Sequence, residues 1–367
     1  MERYVLQGIA AKTNRCNTFN QVAMKMLWRL SVVSLVLCLQ CIVCLGQDHM
    51  YSQFFNSPLY LNPALTGQFG GDLRMNLIYR NQWTTVPGNL SYTSASVDYN
   101  VPRFGGGIGL LVTRSSEGTA YLDNTNISGL YSYSVGSNGF VLSFGLQAGI
   151  TNRVIDYSKL VFGDQIDPTL GIVSGSSSAA GSLPFNNKFY FDSGLGTNLT
   201  IGNFNIGLAL LHLNQPNESF TGTPVKLPIR TNANLSYMWD LNAYDNLTDD
   251  EKSYVIPSVV FYKQSNAESY SFGMQYKHKS VNVGLWYRSG NETGPSAVVV
   301  SLIFDLFINH DGGEKLRFGV SHDAPVSGLS YGATSGSQEG SLSYQTTLPN
   351  HDDTPKFEGS HRCYEFY

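Results

Sequence analysis

From residue 72 onward the chain alternates between apolar and polar side chains with a period of two, the signature of strands whose two faces meet different surroundings. Leu73, Met75, Leu77 and Tyr79 fall on one face, against Asp72, Arg74, Asn76, Arg80 and Gln82 on the other. Ile127, Gly129, Tyr131, Tyr133 and Val135 oppose Asn126, Ser128, Ser132 and Ser134, with Leu130 breaking the rule. Phe140, Leu142, Phe144, Leu146, Ala148 and Ile150 oppose Ser143, Gly145, Gln147 and Gly149. Further copies run through Phe189 to Ile201, Phe204 to Leu210, Ile229 to Trp239, Tyr270 to Tyr276, Val281 to Tyr287 and Val298 to Leu306. A soluble sheet also alternates, but it places Lys and Glu freely on its wet face. Here that face is mostly Ser, Asn, Gly and Gln, as suits a lumen, so the pattern predicts an all-β fold: a transmembrane antiparallel β-barrel of about 14 strands.

Turn signals divide these segments unevenly. Short connections fall at Val101-Pro102-Arg103, Gly136-Ser137-Asn138, Gly202-Asn203 and His278-Lys279-Ser280. Longer ones lie between them, the longest being 153 to 187 with its run Gly175 to Gly181. An outer-membrane barrel alternates in this way, short on the periplasmic side and long outside, and an even strand count returns both chain ends to the periplasm. The barrel is expected over 71–347, with a periplasmic tail over 348–367. Segment 47–70 holds Pro58 and Pro63 beside Phe54, Phe55, Leu59, Tyr60 and Leu61; it is too apolar to hang in water and is expected to fold into or across the periplasmic mouth as a plug.

The start of the chain changes the picture of its destination. Met24 to Arg29 is a short basic stretch followed by the apolar run Leu30 to Leu45, shorter than the ~20 residues of a spanning helix. A signal peptide is expected over 24–46 with cleavage after Gly46, and residues 1–23 are read as an over-extended start, with a genuine leader of unknown purpose as the alternative. Cys16, Cys38, Cys41 and Cys44 leave with it, and Cys363 remains. The Cys38-x-x-Cys41-x-x-Cys44 spacing lies within the apolar leader and is not read as a metal site. Lipidation is the other reading of these cysteines, against which stand Leu37, Gln40 and Val43 where a small residue is usual.

Composition adds exclusions. The 367 residues carry 23 Lys+Arg against 27 Asp+Glu, scattered singly, so no basic footprint for nucleic acid is present. The 22 Tyr and 20 Phe suit strands with aromatic surfaces. Tyr79, Trp83, Tyr92, Tyr99, Tyr131, Tyr133, Trp239, Tyr262 and Tyr287 fall toward strand ends and are expected at the two membrane interfaces. Asp305, Arg74, Arg80, Asp98, Asp192, Arg230, Arg288 and Arg317 are expected inward. Their mixed signs predict a hydrogen-bonded network filling the lumen, whereas one sign would argue for a selective channel.

Catalytic candidates are weak. Gly328-Leu329-Ser330-Tyr331-Gly332 fits the G-x-S-x-G nucleophile pattern, but Ala333-Thr334-Ser335-Gly336-Ser337 follows where an elbow needs a helix. The spacing of His212, His278, His310 and His322 favours no site, and they are read as solvated. Gly105-Gly106-Gly107-Ile108-Gly109 lacks the Lys-Ser/Thr of a phosphate loop and reads as a strand that bends or admits a large neighbour. No enzyme, catalytic residue, cofactor or metal is expected.

Five stretches read as motifs beside the alternation: Gln47-Asp48 with Tyr51-Ser52-Gln53-Phe54-Phe55-Asn56-Ser57-Pro58-Leu59-Tyr60-Leu61-Asn62-Pro63-Ala64-Leu65-Thr66-Gly67, then Tyr79-Arg80-Asn81-Gln82-Trp83, Phe162-Gly163-Asp164-Gln165-Ile166, His212-Leu213-Asn214-Gln215-Pro216-Asn217 and Gly336-Ser337-Gln338-Glu339. Together they resemble the motifs of the PorP/SprF family of type IX secretion outer-membrane proteins of the Bacteroidetes. Gln338 stands where the family more often has His, and Tyr364 follows Cys363 where Pro is usual. The resemblance implies a protein that helps secrete and anchor cargo at the cell surface, notably adhesins with type B C-terminal signal domains, sometimes linked to gliding motility. Implied partners are that cargo, periplasmic ring or peptidoglycan-binding components, and outer-membrane lipid and lipopolysaccharide. On this reading Phe162, Asp164, Asn214 and Pro216, in loops 153–187 and 213–227, are expected to meet cargo. Gln53, Phe54, Phe55, Leu59, Tyr60, Asn62 and Pro63 are expected on the periplasmic side. A porin-like diffusion channel is the alternative.

Overall fold

The computed structural model describes residues 48–101, 105–119, 122–137, 139–156, 159–173, 187–220, 223–242, 252–291, 296–309, 314–326 and 331–348. The signal peptide, the Gly328–Ser330 part of the nucleophile-like motif, the run Gly175 to Gly181, His310 and Cys363 lie outside them.

Fourteen strands form the barrel: β1 (Leu73–Gln82), β2 (Asn89–Val101), β3 (Gly106–Gly118), β4 (Leu122–Ser137), β5 (Phe140–Val154), β6 (Asn187–Ile201), β7 (Phe204–Leu211), β8 (Arg230–Tyr237), β9 (Ser253–Gln264), β10 (Ala267–His278), β11 (Val281–Gly290), β12 (Ala297–Asn309), β13 (Glu314–Pro325) and β14 (Ser337–Thr346). Each pairs antiparallel with its sequence neighbour, and β1 pairs with β14 from Leu73↔Thr346 to Gln82↔Ser337, closing the ring. Closure leaves no sheet edge unpaired, which a strand protein in hydrocarbon requires. Among the described residues no helix is long and apolar enough to cross a membrane.

The end that holds Leu73 and Thr346 is called the base, and the end that holds Gln82 and Ser337 the top. Two-residue connections at Gly202–Asn203 and Lys279–Ser280 lie at the base. The long connections after β5 and β7 lie at the top, which also has the tight turn Ser265–Asn266. Outward positions form an apolar belt that includes Met75, Leu77, Ile127, Phe144, Leu146, Ile150, Phe272, Leu285 and Val320.

Two of the aromatic positions expected at the interfaces are elsewhere. Tyr92 and Tyr262 are 6% and 7% exposed and face inward, because their register puts them on the lumen side of β2 and β9. The apolar exception Leu130 also faces inward, clustered with Leu111 and Leu59. Period-two reading separates the two faces but cannot say what an inward apolar residue touches.

Candidate functional site

What those inward residues touch is the chain itself. Asp48 to Asp72 runs through the lumen from top to base as three short helical turns, Phe54–Asn56, Pro58–Leu61 and Pro63–Leu65, before entering β1. Pro58 and Pro63 stand at first-turn positions, where a missing N–H costs nothing. The Asn62 side chain accepts a hydrogen bond from the Ala64 amide (2.9 Å) and donates one to the Thr197 carbonyl (2.9 Å). The segment therefore fills the whole length of the barrel, where the sequence led us to expect it at one mouth.

Wall glycines make room for it. A Cβ on Gly107 would lie 2.5 Å from the Gly67 Cα, and one on Gly145 would lie 2.2 Å from the Ala64 nitrogen and the Pro63 carbonyl carbon. The same atom on Gly196 or Gly319 would meet the side-chain ends of Asn62 or Gln53 at 2.0 and 2.2 Å. The Gly105–Gly109 run thus does admit a large neighbour, the segment's own backbone. On the opposite wall Phe54, Phe55, Leu61 and Leu65 pack with Trp286, Ile256, Val260, Val299 and Ile303. Trp286 stands edge-on to Phe54, at a ring separation of 5.2 Å.

Polar groups fix the register at three heights. Near the base, Asp98 accepts from the Gly67 amide (2.8 Å) and from Arg74 (3.0 and 2.7 Å), and Arg74 also donates to the Leu65 carbonyl (3.1 Å). Higher up, the Glu339 carboxylate accepts from the amides of Ser52 (2.6 Å) and Gln53 (2.9 Å) and pairs with Arg80. Asp323 pairs with Arg80 (2.8 Å) and Arg288 (3.0 Å) and accepts from the Ser52 hydroxyl at 2.7 Å. These carboxylates and guanidiniums are buried, so each charge needs its partner. The expected mixed-sign lumen is this set of pairs, together with Arg317–Asp305 (2.6 Å), and most of it grips the luminal segment.

At the top sits a latch that sequence reading missed. His212 bridges two carboxylates, Nδ1 to Asp192 at 2.9 Å and Nε2 to Asp48 at 2.7 Å. Burial opposes its charge, yet the charge of Asp48 and hydrogen bonds to Asp192 and Asp48 hold its pKa up to about 10. It is an ion-paired imidazolium, contrary to its reading as a solvated turn histidine. Asp48 also donates its backbone N–H to Gln264 Oε1 (2.7 Å) and lies 3.6 Å from Arg230. Arg230 donates to the Tyr60 hydroxyl (2.6 Å) and lies over the rings of Tyr60 and Tyr262. His49 stacks on Tyr60 and Tyr92 at 5.0 and 4.3 Å. Above it a cavity of about 270 Å³ is lined in part by His49, Arg80, Arg230, Arg288 and Asp323.

The residues expected to meet partners divide sharply. Gln53, Phe54, Phe55, Leu59, Asn62 and Pro63 are buried and Tyr60 is partly buried, all against the barrel's own wall. Phe162 and Asp164 lie at the top, Asp164 exposed in the middle of the short turn Gly163–Gln165. The Asn214 side chain accepts from the Ser193 amide (3.1 Å) and donates to the Phe191 carbonyl (2.7 Å), fastening the loop that carries His212. Pro216 is buried beneath the same loop, and its carbonyl accepts from the Leu227 amide at 2.9 Å. Among the described residues no group of three His, Cys, Asp or Glu is placed to hold a metal.

Fold and site together define an outer-membrane β-barrel whose lumen is occupied by its own N-terminal segment. Residues 43–344 match the family model described as type IX secretion system membrane protein PorP/SprF, and the chain belongs to that family. No curated protein matches the sequence. Among solved structures it is similar to the P. putida toluene transporter TodX, with a TM-score of 0.45 and 10% identity over 81% of this chain and 95% of that one. It is also similar to a Pseudomonas aeruginosa FadL homologue (0.43, 10%, 79% and 93%) and to Acinetobacter baumannii Omp33 (0.40, 7%, 77% and 100%). Likenesses this loose say nothing about function.

Proposed function

We propose that this barrel serves the type IX secretion system by docking and anchoring exported cargo at the cell surface, with its top outside the cell and its base in the periplasm. The carrying observation is the lumen: a segment of the chain runs its full length, seated on glycines and held by ion pairs at three heights. A barrel stoppered in this way suits holding better than passing. The two longest connections, after β5 and after β7, both open at the top, and they are the surface we assign to cargo such as adhesins with type B C-terminal domains. Contacts with ring or peptidoglycan-binding components fall to the base and to the polar tail, and lipid and lipopolysaccharide surround the belt. Gliding motility would follow from the identity of the cargo. In this reading the chain performs no catalytic step.

The test pairs two measurements. The purified barrel in a planar bilayer should show no steady open steps, whereas a chain lacking residues 48–69 should show them. In cells, replacing 155–186 by a tight turn should leave the barrel folded and release the cargo into the medium. Steady conductance by the intact barrel, or undiminished surface cargo in the loop variant, refutes the proposal.

A further inference from the structure

β1 begins at the base, yet the residues before it climb away from that end. Gln68 donates to Ser134 Oγ (2.8 Å) and Gly67 to Asp98 near the base; Ser52 and Gln53 meet Glu339 higher up. Asp48 reaches the top, where its partners are Gln264, the last residue of β9; His212, just beyond β7; and Arg230, the first of β8. Asp48, the first described residue, therefore lies at the end of the barrel opposite to the start of β1.

The ring around the segment is closed through β1 and β14. A chain that emerges at the top can return to the base side only across lipid, where each unpaired backbone group costs several kcal/mol. A leader still held in a membrane on the base side cannot coexist with a seated segment. We propose that the processed amino terminus is presented at the top of the barrel, beside the long loops, and that removal of the leader expected over 24–46 must precede filling of the lumen. Leader cleavage then acts as an assembly checkpoint: the plug, and with it the latch to His212, can form only after the chain is released.

The test places one epitope in three chains: after Gln47, after Thr169 in the top connection, and between Gly202 and Asn203 at the base. Folding of each is confirmed by heat-modifiable migration, and antibody binding is compared in intact and permeabilised cells. The Gln47 epitope should be read from the same side as the Thr169 epitope and from the side opposite to the Gly202 epitope. Grouping with the Gly202 epitope overturns the proposal. This comparison holds whichever way the barrel faces, so it fails or succeeds independently of the cargo-anchor reading. If the insertion blocks folding, Met50→Cys replaces it, compared with Thr169→Cys and Asn203→Cys in a Cys363→Ser background, using a membrane-impermeant maleimide and the same criterion. Second, in a Gln47→Pro chain that retains its leader, no molecule should combine a folded barrel with a protease-protected 48–71 segment; finding that combination also overturns the proposal.

Discussion

Substituting Gly145 by Ala adds one methyl group to the inner wall where no space exists for it. The new Cβ would lie 2.2 Å from both the Ala64 nitrogen and the Pro63 carbonyl carbon, about 1.2 Å short of ordinary contact, and both are backbone atoms that no rotamer change can move. The segment must shift, and at that height its hydrogen bonds are Asn62 to Thr197 (2.9 Å), Asn232 to the Leu61 carbonyl (2.8 Å) and Ser132 to the Thr66 carbonyl (2.5 Å). A displacement of that size takes several of them beyond bonding distance. At about 1 kcal/mol for each lost bond and about 1–3 kcal/mol for overpacking, the seat weakens by roughly 3–5 kcal/mol. Gly196→Ala and Gly319→Ala press on the flexible ends of Asn62 and Gln53 and should cost less. Gly129→Ala, whose Cβ meets only the Ala148 carbonyl at 4.0 Å, should be neutral. The assay is limited proteolysis of residues 48–71 in detergent-solubilised, heat-modifiable barrel, with bilayer conductance beside it. Gly145→Ala should expose the segment and raise open-step frequency while the barrel stays folded. Equal protection in Gly145→Ala and Gly129→Ala refutes the reasoning.

Glu339→Ala strips two segment amides of their acceptor and Arg80 of one partner. Breaking a buried pair costs about 3–5 kcal/mol, so denaturant melts followed by Trp fluorescence should show a lowered midpoint, with Asp323→Ala comparable and Arg114→Ala, at an exposed pair, near wild type. The His212 latch should depend on pH in a defined direction. A pKa raised from 6.5 to about 10 contributes stability that is complete below 6.5 and lost as pH rises through 10. Protection of Asp48–Met50 from exchange or proteolysis should therefore fall between those limits, and His212→Gln should flatten the profile; an unchanged slope in His212→Gln counts against the latch. Trp286→Ala removes an edge-on partner of Phe54 and leaves a cavity in the apolar seat. A loss of roughly 3–5 kcal/mol is expected, measurable as a drop in thermal midpoint.

Sequence alone determined the barrel. Period-two alternation is a local property, written within ten residues of each strand, and it gave the number of strands, the lipid-facing belt and the inward placement of Arg74, Arg80, Asp98, Asp305 and Arg317. The motif Tyr51 to Gly67, read separately from the alternation, resembles that of the family to which the chain belongs. The luminal segment's apolar residues announced that they needed burial, but not where. Tertiary structure alone decided the seat, because its contacts join residues far apart in sequence: Gln53 to Glu339, Asn62 to Thr197, Asp48 to His212. An inward glycine reads as a bend until another backbone lies against it, and a turn histidine reads as solvated until two carboxylates converge on it. The inward apolar residues Ile78, Leu111, Leu130, Trp286 and Val299 were the legible trace of the seat: on a face otherwise polar, each signals an apolar partner inside the lumen. Which partner, and in which direction it runs, is fixed only when the ring closes around it.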